Sequence, residues 1–185
     1  CSRRQRQMCI RDSNYTGCMI GYHAIPVIVD AYIKGLRDYD VKLALKAMVN
    51  SAMQDELGLK KYRENGFITA SDEPESVSKH LEYSYDDWCI ALMADSIGEE
   101  EIASDFYQRG QFYKNLFDPA TRFFRAKKNH TWFSPFRPEE VNFNYTEANA
   151  WQYSLFVPQD ISGHVKLMNG AKKYEEHLDN MFNAS

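Results

Sequence analysis

Long apolar runs are missing from this 185-residue chain; none approaches the ~20 residues that a membrane-spanning helix needs. A basic excess is missing too. Lys plus Arg at 22 against Asp plus Glu at 26 gives a net charge of −4, which argues against a dedicated nucleic-acid binder, whose cations must displace counterions. Cys1, Cys9, Cys18 and Cys89 form no CxxC pair and no histidine lies at metal-finger spacing, so no structural zinc site is expected. Among His23, His80, His130, His164 and His177 there is no HExxH pair. The absence of GxGxxG and of a P-loop leaves nucleotide chemistry without local support. No apolar h-region follows the basic opening residues, so no signal peptide is read there.

What is present is ordinary globular composition, 44% hydrophobic and 26% charged, with length enough for one sizeable core. Aromatic residues reach 14%, and many of them sit in polar company, which suits sugar or peptide ligands as well as core packing. Cys89 lies in Trp88-Cys89-Ile90-Ala91-Leu92 and reads as a buried free thiol. Asn-x-Ser/Thr triplets occur at Asn14, Asn129, Asn144 and Asn183, and carry meaning only in a secreted eukaryotic context. Gln7 to Ser13 resembles a translated sequencing adapter, so residues 1–13 are taken as a non-native or disordered segment, with the domain at 14–185.

The pattern from His23 onward is helical. His23 to Gly35 carries Pro26 near its first turn and is apolar almost all round, predicting a helix buried on more than one side. Asp40 to Met53 puts Val41, Leu45, Met48 and Ala52 on one stripe with Lys42 and Lys46 off it, as on a peripheral helix. The alternation then repeats: Glu75–Asp95 well buried, Glu99–Leu116 amphipathic, Glu147–Phe156 well buried, and a final pair over 161–181. Alternating buried and amphipathic helices are what inner and outer layers look like in sequence, predicting an all-α fold, part of an α/α toroid or a helical-pair stack. The exception is the aperiodic, aromatic-rich stretch from Asp118 to Glu140, expected to be functional or a small hairpin excursion.

Inner helices of such a fold can present their ends to one cavity. The candidate residues therefore stand at the starts of the buried segments: Tyr22-His23, Glu75-Ser76 and Thr146 to Tyr153. The third cluster places Glu147, Asn149, Trp151 and Gln152 together, and on a helix Glu147 and Trp151 are i, i+4 neighbours. Desolvation beside Phe143, Tyr145 and Trp151 would hold the Glu147 carboxyl protonated, as a glycosidase general acid requires. A helix N-terminus pulls the other way, and from spacing alone a helix-start role competes with catalysis at both Glu147 and Glu75. His23 reads as a hydrogen-bonded core histidine rather than a ligand, and Asp86-Asp87 before an apolar run reads as a buried salt bridge with a catalytic role kept open. The Asn149 and Gln152 amide oxygens qualify chemically for calcium, without calcium-loop spacing.

Several longer stretches resemble one family. They are Gly17-Cys18-Met19-Ile20-Gly21-Tyr22-His23-Ala24-Ile25-Pro26-Val27 with Asp30-Ala31-Tyr32 and Lys34-Gly35, and Glu75-Ser76-Val77-Ser78-Lys79 with Leu81-Glu82-Tyr83 and Tyr85-Asp86-Asp87-Trp88-Cys89-Ile90-Ala91. Tyr113 to Pro119 follows, then Tyr145-Thr146-Glu147 with Asn149-Ala150-Trp151-Gln152-Tyr153 and Val157-Pro158. In this order they resemble glycoside hydrolase family 92, the calcium-dependent exo-acting α-mannosidases, from about Asn14 to Phe182. The resemblance implies part of an (α/α)6 toroid cleaving terminal α-mannosides, such as α-1,2-mannose of N-glycans, by inversion. It puts Glu147 at the general acid and implies substrate-binding roles for His23, Glu75, Asn149, Trp151 and Gln152. Calcium is implied with no ligands assigned, as is a periplasmic or secreted location.

Departures accompany the matches. The family's general-base motif and its upstream Trp-Asp motif are absent, so the chain reads as a fragment of the catalytic domain, inactive and poorly soluble alone. Gln159 stands where a histidine is common, Ser84 where alanine is frequent, and Thr69-Ala70 lacks the usual proline, all bearing on linkage preference. Two other readings fit the helical pattern: a non-catalytic helical-pair scaffold for protein partners, and another α/α-toroid glycosidase or lyase.

Overall fold

The computed structural model describes residues 19–183. The segment 1–13 and Cys1, Cys9, Asn14 and Cys18 lie outside the described residues. The fold is all-α in character, part of an α/α toroid. Its elements are α1 (Ala24–Ile33), α2 (Val41–Ala52), α3 (Leu59–Asn65), α4 (Ser76–Ser96) and α5 (Glu100–Arg109), then a 3-10 turn (Phe112–Leu116). Two small antiparallel hairpins follow, β1 (Phe117–Asp118) with β2 (Phe123–Phe124) and β3 (Lys127–Lys128) with β4 (Thr131–Trp132), filling the aperiodic stretch as foreseen. The chain ends on α6 (Ala150–Tyr153), α7 (Ile161–Leu167) and α8 (Ala171–Asn183). No helix among the described residues is long and apolar enough to cross a membrane.

α4 is the inner helix, packed against α1, α2, α5 and the 3-10 turn, with 16 of its 21 residues buried. Its C-terminal half is apolar and meets α1, α2 and α5 through Cys89, Ile90, Met93, Val29, Leu45, Met48 and Phe106. Cys89 is a buried free thiol, its pKa pushed up to about 12 by burial. The N-terminal half meets the hairpins and the C-terminal helices through Val77, Leu81, Tyr113, Phe124 and Tyr145. α2 follows its predicted stripe: Leu45, Met48 and Ala52 are buried, and Asp40 caps its start by accepting from Leu43 N at 2.9 Å.

Three helices differ from the sequence expectation. α1 buries only Ile25, Val29 and Tyr32, because α4 covers one side while Val27 and Ile33 face outward, 69% and 51% exposed. The predicted helix to Leu116 stops at Arg109; Gly110 fits closely, since a Cβ there would lie 3.1 Å from Trp88 Cβ, and the chain tightens into the 3-10 turn. The predicted helix from Glu147 is a single turn, because Glu147 is left-handed (φ 50°) and Asn149 caps the turn only at Ala150. α3 was not foreseen; glycines at φ 79° and 72°, Gly58 and Gly66, bound it.

Candidate active site

The first three turns of α4 carry an unusual load for a buried helix: Ser76, Ser78, Lys79, His80, Glu82, Ser84, Asp86 and Asp87 are all buried. Such groups need partners, and the start of α1 supplies several. Glu82 and Asp86 are i, i+4 neighbours on one face of α4. His23 sits between them, Nε2 at 2.8 Å from Glu82 and Nδ1 at 2.9 Å from Asp86. These two carboxylates raise the imidazole to about 10, so His23 is a cation at neutral pH. Burial pushes the Asp86 carboxyl up, while His23 and the Tyr22 N–H, which donates to it at 2.9 Å, pull it back down.

Asp87 is answered from two other directions. Tyr22 Oη donates to it at 2.6 Å, and Arg109 donates Nε at 2.7 Å and Nη2 at 3.1 Å from the end of α5. The buried salt bridge expected at Asp86-Asp87 is thus present at Asp87. Burial still lifts its pKa to about 6. Ser84, one of the departures noted above, donates to the His80 carbonyl at 2.8 Å and lies 3.1 Å from Tyr62 Oη, so its hydroxyl is satisfied.

The loop before α6 closes on the N-terminal end of the same helix. Glu75 N donates to Phe143 O at 2.6 Å, Val77 N to Asn144 O at 3.1 Å, and Thr146 N to Ser78 Oγ at 2.9 Å. Tyr153 Oη reaches Glu82 Oε1 at 3.4 Å, so Glu82 joins α1 to α6 through α4. The three segment starts named from sequence therefore all pack on α4, Glu75-Ser76 and the Glu147 loop at its N-terminal end and Tyr22-His23 about halfway along it, at Glu82, Asp86 and Asp87. Glu75 and Glu147 both adopt left-handed backbone, φ 58° and 50°, a conformation that costs about 1–2 kcal/mol for a residue with a Cβ. Strain of this kind gathers at sites where geometry serves function.

The individual residues fall out unevenly. Glu147 is exposed and no aromatic hollow encloses it: Phe143 is 90% exposed, Tyr145 points inward to donate to Phe124 O, and Trp151 packs edge-on to Phe123. It is not helical, so the i, i+4 relation to Trp151 does not form. Asn149 and Gln152 form a capping box: Asn149 Oδ1 accepts from Gln152 N at 3.2 Å and Gln152 Oε1 from Asn149 N at 2.9 Å. Trp151 is wedged against Phe123 and His177 at ring separations of 4.7 and 4.9 Å. Glu75 is half-buried at the mouth of α4, and both ring nitrogens of His23 are taken up by carboxylates. Sequence reasoning passed over Glu82 and Arg109; the i, i+4 spacing of Glu82 and Asp86 was the available signal for the first.

The described residues assign no calcium ligands. No group of three or more His, Cys, Asp or Glu among them comes together to hold a cation, and the amide oxygens that qualified are used in the cap. Beside Glu75 a half-open groove of about 500 Å³ runs between the loop Ala70–Pro74 and the wall made by Phe133, Glu140 and Phe143.

Known proteins match this arrangement. The family model described as the glycosyl hydrolase family 92 catalytic domain matches residues 4–185. A protein of Arthroderma benhamiae called an uncharacterized secreted glycosidase is 26% identical, over 86% of this chain and 26% of its own length. The family GH92 inverting mannosidase BT2199 of Bacteroides thetaiotaomicron superposes with a TM-score of 0.86 at 33% identity, over 90% of this chain and 24% of that one. The GH92 α-mannosidase BT3965 of the same organism, in complex with mannoimidazole, gives 0.88 at 36% identity, over 93% and 24%. The chain thus spans about a quarter of the length of the relatives it matches. With the family model matching residues 4–185 and members of the family superposing over nine-tenths of it, the chain belongs to glycosyl hydrolase family 92, within the catalytic domain.

Proposed function

We propose that the enzyme to which this chain contributes hydrolyses terminal α-mannosides with inversion, and that Glu147 is its general acid. One observation supports the reading: the Glu147 loop is anchored at the N-terminal end of α4, Glu147 being left-handed beside Thr146, whose N donates to Ser78, while Tyr153 at the end of the same segment reaches Glu82, which His23 also pairs. Structural neighbours named as an inverting mannosidase and an α-mannosidase support the substrate class.

In this scheme the Glu147 carboxyl gives its proton to the glycosidic oxygen as the C1–O bond breaks. A second carboxylate, from outside this chain and about 6.5–9.5 Å away, takes a proton from the water that attacks C1 from the opposite face. Mannose leaves with its anomeric configuration inverted. Glu147 is exposed among the described residues, so the acid role requires the remainder of the catalytic domain to cover it. Glu75, half-buried beside it, is placed to accept from a sugar hydroxyl. His23 acts through Glu82 rather than on substrate, fixing the carboxylate that Tyr153 reaches. Asn149 and Gln152 set the cap that orients the Glu147 loop, and Trp151 pins the turn to the hairpins. Calcium, which the family resemblance implies, remains part of the proposal with no ligands assigned among the described residues. The location proposed is periplasmic or secreted, in line with the fungal relative's description.

The test is Glu147→Gln in the full-length enzyme. Turnover of α-mannosides with poor leaving groups should fall about 10²–10⁴-fold, with much less loss for an activated aryl leaving group that needs no proton. The isolated chain, which spans about a quarter of its relatives' length, is the negative control and should release no mannose. Near-normal turnover by the variant on poor leaving groups overturns the assignment.

A further inference from the structure

We infer that the groove beside Glu75 is a subsite for the sugar chain on the leaving-group side of the scissile bond, so that the enzyme favours neutral oligosaccharides over short mannosides. This rests on the reading of Glu147 as the general acid. The groove, at about 500 Å³, falls within the ~300–1,000 Å³ of typical ligand pockets. Phe143 stands four residues before Glu147, so its Cα lies at most about 14 Å from that of the proposed acid, a few sugar rings away. The two are joined mechanically as well: the Phe143 carbonyl is held by Glu75 N at 2.6 Å and Thr146 N by Ser78 Oγ at 2.9 Å, both on the first turns of α4. Groove edge and acid loop therefore share one rigid support.

The lining matches a sugar. Phe143 is 90% exposed and Phe133 38% exposed, offering apolar faces on which the C–H side of a pyranose can stack. Hydroxyl acceptors stand opposite them and are held in place. Asp72 accepts from Thr69 N at 3.1 Å and from Thr69 Oγ1 at 2.7 Å, and Glu73 is paired with Lys79. Fixed acceptors lose little side-chain freedom when a ligand arrives. Glu140, on the far wall, has no ion-pair partner among the described residues. The lining is net negative, so it selects a neutral chain and repels phosphorylated or otherwise anionic glycans.

The experiment compares a linear oligomannoside of three or more sugars with an aryl α-mannoside in the full-length enzyme. Phe143→Ala should lower the ratio of their kcat/KM values about tenfold, and Phe143→Trp, which keeps an aromatic face, should restore it. Glu140→Gln provides a second variant, reading the same ratio with little disturbance of packing, and should lower it about threefold. An unchanged ratio in both Phe143→Ala and Glu140→Gln overturns the subsite. So does an equal loss on both substrates, which would mean that another part of the domain covers the groove. Because a wrong acid assignment would leave the groove's place relative to the scissile bond unset, binding of the oligomannoside is titrated independently by calorimetry. Weaker binding to Phe143→Ala than to wild type supports the subsite whether or not Glu147 is the acid, and equal binding overturns it.

Discussion

Removing the guanidinium of Arg109 tests the packing of the inner helix most directly. Asp87 is completely buried, with two contacts from Arg109 at 2.7 and 3.1 Å and one from Tyr22 at 2.6 Å. In Arg109→Met the thioether keeps part of the contact with Phe106, over whose ring the guanidinium lies at 4.3 Å, but Asp87 retains only the tyrosine. Breaking one side of a buried pair costs about 3–5 kcal/mol. Two charge-assisted hydrogen bonds at about 1.5–3 kcal/mol each give the same range. Amide hydrogen exchange of α4, measured by mass spectrometry in the full-length enzyme, should therefore accelerate by about two to four decades. The pKa of Asp87, lifted to about 6 with Arg109 still beside it, says that desolvation outweighs the attraction. It follows that the double variant Asp87→Leu/Arg109→Met should recover most of the protection, since an apolar pair carries no such penalty. Acceleration of less than tenfold in Arg109→Met would refute the reasoning and mean that Asp87 is already neutral and satisfied by Tyr22 alone.

Buried histidines set an acid limit. His80 and His164 are pushed down to about 4 by burial, so each is neutral in the folded protein; their stability contribution is complete above about pH 6.5 and is lost as pH falls toward 4. For His80 the lost contribution is about 3 kcal/mol, and His80→Gln, able to keep a donor to Phe112 O, should flatten the stability profile between pH 6.5 and 4 in urea titrations. His23 works in the opposite sense: its raised pKa of about 10 means its contribution is present below pH 6.5 and fades as pH rises through 10, damped by solvent at a side chain 42% exposed. At Glu75, with φ 58°, Gly should be more stable than Ala by about 1 kcal/mol in thermal unfolding, while both variants raise KM for mannosides if the carboxylate meets substrate.

Periodicity made the helices legible where one face packs against one neighbour. The α2 stripe of Leu45, Met48 and Ala52 needs only a 3.6-residue period and a core on one side, and the structure follows it. The same reasoning failed for α1, whose apolar circumference says what it can bury but not how much neighbouring surface this chain supplies. It failed again at Gly110 and Glu147, where a close approach to Trp88 and a left-handed residue end the periodic pattern. The site was legible as a set of segment starts rather than as individual contacts. Tyr22-His23, Glu75 and the loop around Glu147 all pack on α4, but Glu82, which ties the first to the last through Tyr153, was hidden as an ordinary acid in a helix. Asn149 and Gln152 show the converse: an Asn-x-x-Gln spacing before an apolar turn is a capping signature, and local backbone needs claimed both amides.

A helix as polar as the first half of α4 cannot be buried by apolar partners alone, and that requirement explains the architecture of the site. Glu82, Asp86 and Asp87 all bond Tyr22 or His23 at the opening of α1, and Glu82 and Asp87 also reach α6 and α5. The elements fixed in this way are those that carry His23, Arg109 and Tyr153, and Tyr153 lies one short turn beyond Glu147. A general acid on a loop would ordinarily be free to wander by more than the ~0.5 Å that proton transfer tolerates. Here the loop is anchored twice on α4, by Asn144 O and Thr146 N, and once more through Tyr153 to Glu82. Val77 N, Ser78 Oγ and Glu82 of α4 therefore hold the backbone of the proposed acid in place, while the surface over Glu147 comes from the rest of the domain.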